Sequence, residues 1–428
     1  MILGIDLGST VFKAEVFDRD WRRVGRGGAP VVYLPADGPV VEMPVEAVEA
    51  AFRAAVVGAL ESAGCRPDAL AAVGIASQAQ TFTLRGSDGC AKGPFISWRD
   101  TRCEHDNPAA ALPDFAEHCS FADPLPGLTV SKLSFLQRET SFAWVGAGDA
   151  LLWLPTWFVA QLVGRAVVDD NLAAMSGLHS LRRADWWPEA MALCGIASRQ
   201  LPERIPLGTS AGTTGSTAAR YGLCAGTPVV LAGNDQTAAA YGAGLHESGA
   251  TLIGLGTAQV AYAVFDPMPP VVPGLLRGPY PGGRFHRLGA DDWGSGTVGW
   301  ACRTIPGLAD VQAFDRAAAL APEDCHGVRF IADGPAGSGR WTGLEHPEAT
   351  PDDQARAVLV TLVERMAALF SKLDADGPVL ACGGGAESKP WRGILSRRLG
   401  VPIEKRSDVS PSLGAARMAH DWLRNTGR

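Results

Sequence analysis

Leu7-Gly8-Ser9-Thr10-Val11-Phe12-Lys13-Ala14-Glu15-Val16-Phe17 has an echo in the second half of the chain, Leu255-Gly256-Thr257-Ala258-Gln259-Val260-Ala261-Tyr262-Ala263-Val264-Phe265. Leu, Gly and the closing Val-Phe coincide, and Ser9 faces Thr257. Each copy reads as a strand, a turn of glycine and a hydroxyl residue, and a returning strand. Such a repeat predicts two related domains, each offering a glycine turn to a shared cleft. The copies differ just before the turn, where Asp6 stands in the first and Gly254 in the second.

Working outward, Ile2–Leu7 and Val11–Phe17 predict two antiparallel strands, closed by a turn over Asp18–Asp20, with a third strand over Arg22–Gly25. Pro44–Ser62 has helical spacing, with Pro44 suited to a first turn and Gly64 just past the end. Leu70–Ala76 predicts a buried strand. From Trp98 to about Trp187 the chain is rich in Trp and Pro and lacks simple periodicity, which reads as an insertion beside the sheet. Trp186 and Trp187 are expected to pack that insertion, and His118 and His420 to lie on the surface. Thr227–Leu231 is a β-run leading into Gly233-Asn234-Asp235-Gln236 and a helix of small residues, Thr237–Tyr241. The boundary is expected near residue 227, giving domains 1–227 and 228–428. The second half closes with a helix over Asp353–Leu373, a strand over Pro378–Cys382, the run Gly383-Gly384-Gly385-Ala386, a strand over Val401–Glu404 and a final helix over Ser412–Arg424. This alternation predicts an α/β fold.

A length of 428 residues exceeds the roughly 250–300 residues at which single cores stop growing. The net charge is −7, and no Lys/Arg run marks a nucleic-acid or membrane surface. The nine cysteines show no paired spacing, which argues against a zinc site or a disulfide framework. No stretch reaches the roughly 18 apolar residues of a spanning helix. The opening Met1-Ile2-Leu3 lacks the charged start of a signal peptide. These features predict a cytoplasmic protein without nucleic-acid or membrane partners; a homodimer is allowed.

Five constellations carry chemistry. Asp6-Leu7-Gly8-Ser9-Thr10, with Lys13 nearby, offers backbone N–H groups and hydroxyls to a phosphate and a carboxylate to a hydrated Mg²⁺; an ordinary hairpin turn reads equally well. Gly254-Leu255-Gly256-Thr257 offers the same turn without the acid. Asp235, at a strand end before a helix, can take a proton from an attacking hydroxyl or simply cap the helix, and Gln236 can bond a neighbouring hydroxyl. Gly383-Gly384-Gly385-Ala386 leaves room for a flat ring or a phosphate. Trp98-Arg99-Asp100-Thr101-Arg102, preceded by Ser77-Gln78-Ala79-Gln80, supplies the stacking ring and bidentate polar groups that sugars need.

The order of these motifs, with Pro126-Gly127, Ser131-Lys132-Leu133 and Leu413-Gly414-Ala415-Ala416 between and after them, resembles the FGGY family of carbohydrate kinases along nearly the whole chain. The resemblance implies two actin-like (ribonuclease-H-like) domains with an interdomain cleft, and ATP-dependent phosphorylation of a hydroxyl of a small sugar or polyol. It implies Mg²⁺ at Asp6, the transferred phosphate at Gly8, Ser9, Thr10 and Lys13, and the β- and γ-phosphates at Gly256 and Thr257. Gly384, Gly385 and Ala386 would border the adenosine, Asp235 would be the general base, and Gln78, Trp98, Asp100 and Gln236 would line the sugar site. Asp6 and Asp235 are expected to face each other across the hinge. Ala79-Gln80 stands where xylulokinases carry Met-His, and the Arg-Glu pair of glycerol kinases is absent, so pentuloses, hexuloses, tetritols and glycerol all stay open as acceptors. A silent sugar-binding regulator, an actin-like ATPase and a kinase for a non-carbohydrate alcohol are the competing readings.

Overall fold

The computed structural model describes residues 1–139, 145, 146, 148–335 and 337–427; residues 140–144 and 147 of the Trp-rich stretch lie outside that set. The chain forms two compact units. One comprises Met1–Gly244, Leu276–Phe285 and Ser410–Arg428, the other Leu245–Leu275 and His286–Val409.

The first unit is built on a six-stranded sheet. Its strands are β1 (Ile2–Leu7), β2 (Val11–Phe17), β3 (Arg23–Pro30), β4 (Ala72–Ser77), β5 (Ser210–Thr213) and β6 (Pro228–Asn234), in the order β5-β6-β4-β1-β2-β3. β1 and β2 form the expected hairpin, with Asp6 opposite Lys13. β1, β4 and β6 run parallel, and the register sets Leu7 and Asn234 both level with Ser77. Their carboxyl ends therefore share one edge, where ligands collect in parallel sheets. β1 and β4 are buried on both faces, which explains why they read as unbroken apolar runs rather than alternating ones.

Helix α1 (Val45–Ala63) ends at Gly64 in the left-handed conformation, as its pattern predicted, and packs on β2 and β3. The tryptophan-rich stretch adds one strand, Ala150–Trp153, to a second sheet of the first unit whose other strands, Glu42–Met43, Phe95–Ile96 and Phe82–Arg85, precede it. It also has its own core, in which Trp153, Trp187, Leu133 and Leu151 are buried. Helices α2 (Thr129–Arg138) and α3 (Asp170–Met175) belong to this region. His118, expected at the surface, is buried and stacks on Trp187 with ring centroids 4.3 Å apart, its Nδ1 2.7 Å from Ser180 Oγ. His420 is half-buried against Trp21.

The boundary near residue 227 is corrected by strand pairing. β6 hydrogen-bonds to β4 within the first sheet, and helix α4 (Asp235–Ala243) follows it into the same unit. The C-terminal helix α5 (Pro411–Thr426) also returns there, packing on β1, β4 and α4. Glycines permit that close approach: a Cβ on Gly74 would lie 2.0 Å from Ala415 O, and one on Gly414 would lie 1.7 Å from Ala238 O.

The second unit repeats the arrangement. β7 (Thr251–Leu255) pairs antiparallel with β8 (Gln259–Phe265) and parallel with β10 (Val379–Cys382). With β9 (Arg284–Asp291), of which His286–Asp291 lie in this unit, and β11 (Ile403–Lys405), the order within the unit is β9-β8-β7-β10-β11. The sequence echo is thus a structural one, because β7 and β8 hold the places that β1 and β2 hold in the first sheet. The helix Pro351–Leu373 opens with a reciprocal cap between Thr350 and Asp353, two residues before its expected start.

Candidate active site

Asp6 lies at the end of β1 and is 5% exposed. Its Oδ1 is buried without a hydrogen-bond partner. Burial, reinforced by the neighbouring Asp235 carboxylate and opposed by Lys13, pushes the Asp6 carboxyl up to about 7. Asp235 is also raised, chiefly by burial, while the backbone N–H and side chain of Gln236 oppose the shift. Asp6 and Asp235 do not face each other across a hinge: both stand in one unit, at the ends of parallel strands two places apart. Two acids raised by burial, one of them further by the other's charge, are a frequent mark of a functional site.

Local structure explains why Asp235 is not used as the helix cap. Asn234, not Asp235, caps α4, its side chain accepting from Thr237 N–H at 3.0 Å. Gly233 turns the chain with a φ of +71°, and a Cβ there would come within 2.9 Å of Asn171 Oδ1. Asn171 accepts from Asn234 N–H at 3.0 Å and donates to Thr237 Oγ1 at 3.2 Å and to Pro279 O at 3.0 Å. This buried asparagine fixes the strand-to-helix bend from three directions, and no motif in the sequence marks it.

A cavity of about 650 Å³ opens beside the pair, lined by Ser9, Gln78, Trp98, Asn234 and Asp235 on its polar side and by Phe121, Leu125 and Met175 among its apolar walls. Gln78 is tied to the first turn, its N–H donating to Leu7 O at 3.0 Å and its Nε2 to Gly8 O at 3.2 Å. Thr81 Oγ1 donates to Gln78 Oε1 at 3.1 Å and accepts from Trp98 N–H at 3.1 Å. One hydrogen-bonded chain therefore runs from Gly8 to Trp98, whose ring is 44% exposed. Tyr33 hydroxyl donates to Ser9 O at 2.6 Å, and the Arg99 guanidinium sits 5.4 Å from the Tyr33 ring centre. Gly8 and Ser9 are half-buried and Thr10 exposed, while Lys13 is half-buried on the face of Asp6. A larger cavity of about 690 Å³ in the same unit, lined by Glu46, Glu49, Lys92 and Arg220, holds none of the predicted site residues.

Asp100 does not line the first cavity. It is fully buried, accepting from Val41 N–H at 2.8 Å, from Arg102 N–H at 3.1 Å, and from Arg102 Nε and Nη2 at 2.9 and 2.7 Å. With both oxygens committed, it braces the loop rather than facing a sugar. Gln236 is half-buried beside Asp235, outside the residues that line the cavity.

In the second unit the two glycine motifs meet. Gly383 has a φ of +89°, and a Cβ on it would fall 2.8 Å from Leu255 O and 3.2 Å from Gly256 N. Gly256 O accepts from Ser295 N–H at 2.7 Å. Thr257, Gly383 and Gly384 are exposed, and a Cβ on Gly384 would touch nothing. Gly385 is different, because a Cβ there would strike the Trp391 ring at 2.6 Å, and Ala386 is buried in the core. Those two residues pack the turn, and the open surface is at Gly383 and Gly384.

The sequence model described as the FGGY family of carbohydrate kinases, N-terminal domain, matches residues 1–242. The chain belongs to the FGGY family of carbohydrate kinases. It is 27% identical over 385 residues to a xylulose kinase of Klebsiella pneumoniae, covering 81% of this chain and 75% of that protein. A glycerol kinase of Aromatoleum aromaticum is 32% identical over 257 residues, covering 56% of this chain and 50% of that protein. The fold matches that of a ligand-bound xylulose kinase from Lactobacillus acidophilus with a TM-score of 0.88 at 20% identity, covering 99% of this chain and 89% of that one. The FGGY chain described here is thus an α/β protein of two actin-like units and an ATP-dependent kinase of small sugars or polyols.

Proposed function

We propose that Asp235 accepts the proton of the acceptor hydroxyl in this chain's phosphoryl transfer, with the acceptor held in the cavity between Trp98 and Asp235. The observation that carries the reading is the Asp6–Asp235 pair: two desolvated carboxylates at one sheet edge, beside the Ser9 turn and an open cavity. Burial raises Asp235 toward the range where a carboxylate is an effective base. The Trp98 face offers a stacking surface for an apolar ring face, and Gln78 fixes the distance between that wall and the phosphate turn. Gly8, Ser9 and Thr10 present N–H and hydroxyl groups to the transferred phosphoryl, Lys13 adds positive charge, and Gly256, Thr257 and Gly384 supply an open nucleotide turn.

The donor set fits Mg²⁺. Among the described residues no group of three His, Cys, Asp or Glu side chains could hold a metal, but the unpartnered Oδ1 of Asp6 suits an ion that keeps most of its water and takes few protein ligands. When bound, Mg²⁺ supplies charge neutralisation on phosphoryl oxygens. The acceptor classes that these relatives suggest are pentuloses and glycerol. Nine unpaired cysteines support a reducing, cytoplasmic setting.

Asp235→Asn tests the base. Turnover in a coupled ADP-release assay should fall by about 10²-fold or more while nucleotide affinity holds. Near-wild-type turnover removes Asp235 from the role.

A further inference from the structure

We infer that Lys132 is a positioning residue for the acceptor, its ammonium clasping the two chain segments that carry Gln78 and Trp98. The inference rests on reading the 650 Å³ cavity as the acceptor site. Lys132 lies in the first half of α2 and is fully buried. Its Nζ donates to Gln80 O at 3.0 Å and to Ser97 O at 2.6 Å. One acceptor follows Gln78 by two residues and the other precedes Trp98 by one. No carboxylate pairs with it among the described residues. The charged neighbours are Asp100 and Arg102, and the Phe82 ring centre lies 5.5 Å away.

An unpaired buried ammonium is costly, and packing alone favours an apolar residue here. Burial holds the group down to about 7, with Asp100 opposing. The clasp has a task that an apolar side chain cannot perform. Gln80 is in the left-handed region at a φ of +65°, a conformation that persists for a non-glycine residue only where its surroundings over-determine it. Those surroundings are Lys132 on its carbonyl, Thr129 N–H and Oγ1 on its Oε1 at 2.8 and 2.9 Å, and Met175 O accepting from its Nε2 at 2.5 Å. Releasing the carbonyls of Gln80 and Ser97 frees both walls of the cavity to drift from Asp235, and small misplacements of a bound reactant are expensive.

Lys132→Met is the test, measured by ADP release with xylulose, fuculose and glycerol. The acceptor KM should rise about 10-fold, the ATP KM should stay within about twofold, and the melting temperature should hold or increase. A second variant, Lys132→Ala, should regain a low acceptor KM with added n-propylammonium but not with n-propanol. Equal shifts in both KM values, an unchanged acceptor KM, rescue by the alcohol, or failure of both variants to fold would each overturn the inference. Absence of acceptor-dependent ADP release by the wild-type protein strikes the acceptor-site reading itself.

Discussion

Removing the charge of Asp6 should stabilise the protein while disabling it, and the gain should build as pH rises from about 4 and level off above about 7. The folded chain holds the Asp6 proton up to about 7, against 3.8 for the free group. Between those values the unfolded chain binds fewer protons than the folded one. Stability from this group is therefore fully present below pH 3.8 and is lost as pH rises through 7. At about 1.4 kcal/mol for each pH unit of that gap, the charged form costs the folded state up to about 4 kcal/mol above pH 7. Asp6→Asn removes the term. At roughly 2 °C per kcal/mol for a unit of this size, its melting temperature should exceed the wild type's by about 4–8 °C at pH 8 and by little at pH 4.5. The assay is thermal unfolding with chelator and without nucleotide at both pH values. Added Mg²⁺ should raise the wild-type midpoint and leave the variant where it was, because a cation that binds only the folded state stabilises it by mass action. A variant offset that is the same at both pH values, or a variant less stable at pH 8, would refute the argument that Asp6 is held desolvated against Asp235.

Two further predictions concern residues whose roles the structure revised or explained. Asp100→Asn should lower the melting temperature by several degrees, since it leaves the Arg102 guanidinium with Glu42 as its only carboxylate partner at a cost of up to about 3 kcal/mol, while the acceptor KM at 25 °C stays near wild type; a raised KM at unchanged stability would return Asp100 to the sugar site. Gly414→Ala should destabilise the first unit by about 2–3 kcal/mol or more in urea unfolding, because its Cβ would sit 1.7 Å from Ala238 O; a neutral result would mean that α5 does not dock as described.

What was legible in the sequence follows from where physical constraint is local. The β1–β2 hairpin could be read to its ends, because a strand buried on both faces must be a continuous apolar run and the turn must be glycine with a hydroxyl residue. The order of motifs points to Asp6 and Asp235 facing each other across a hinge, whereas β1 and β6 carry both to one edge of the first sheet. The domain boundary did not follow. The return of α5 to the first sheet is a long-range pairing, and its only trace is a set of glycines whose role appears once the facing backbone is known. Asp100 and Gln78 show the same limit at the level of single side chains. Both are polar residues of the same expected sugar-site set, and composition cannot tell the one whose oxygens are consumed by Arg102 from the one that faces the cavity.

Lys132 carries that argument a step further. Its motif, Ser131-Lys132-Leu133, could be read only as a matter of order along the chain, because nothing in a lysine between a serine and a leucine says what its ammonium meets. The structure buries it and gives its hydrogens to two carbonyls contributed by segments 35 and 52 residues away. Side chains proposed to touch the reacting groups, Asp6 and Asp235, stand at strand ends and can be inferred from strand ends. Those that hold such side chains in place, Asn171 and Lys132 here, are chosen by the gaps between distant segments. Their functional weight has to be measured through the groups they hold, which is why a split between acceptor and nucleotide KM, rather than loss of activity alone, decides the case for Lys132.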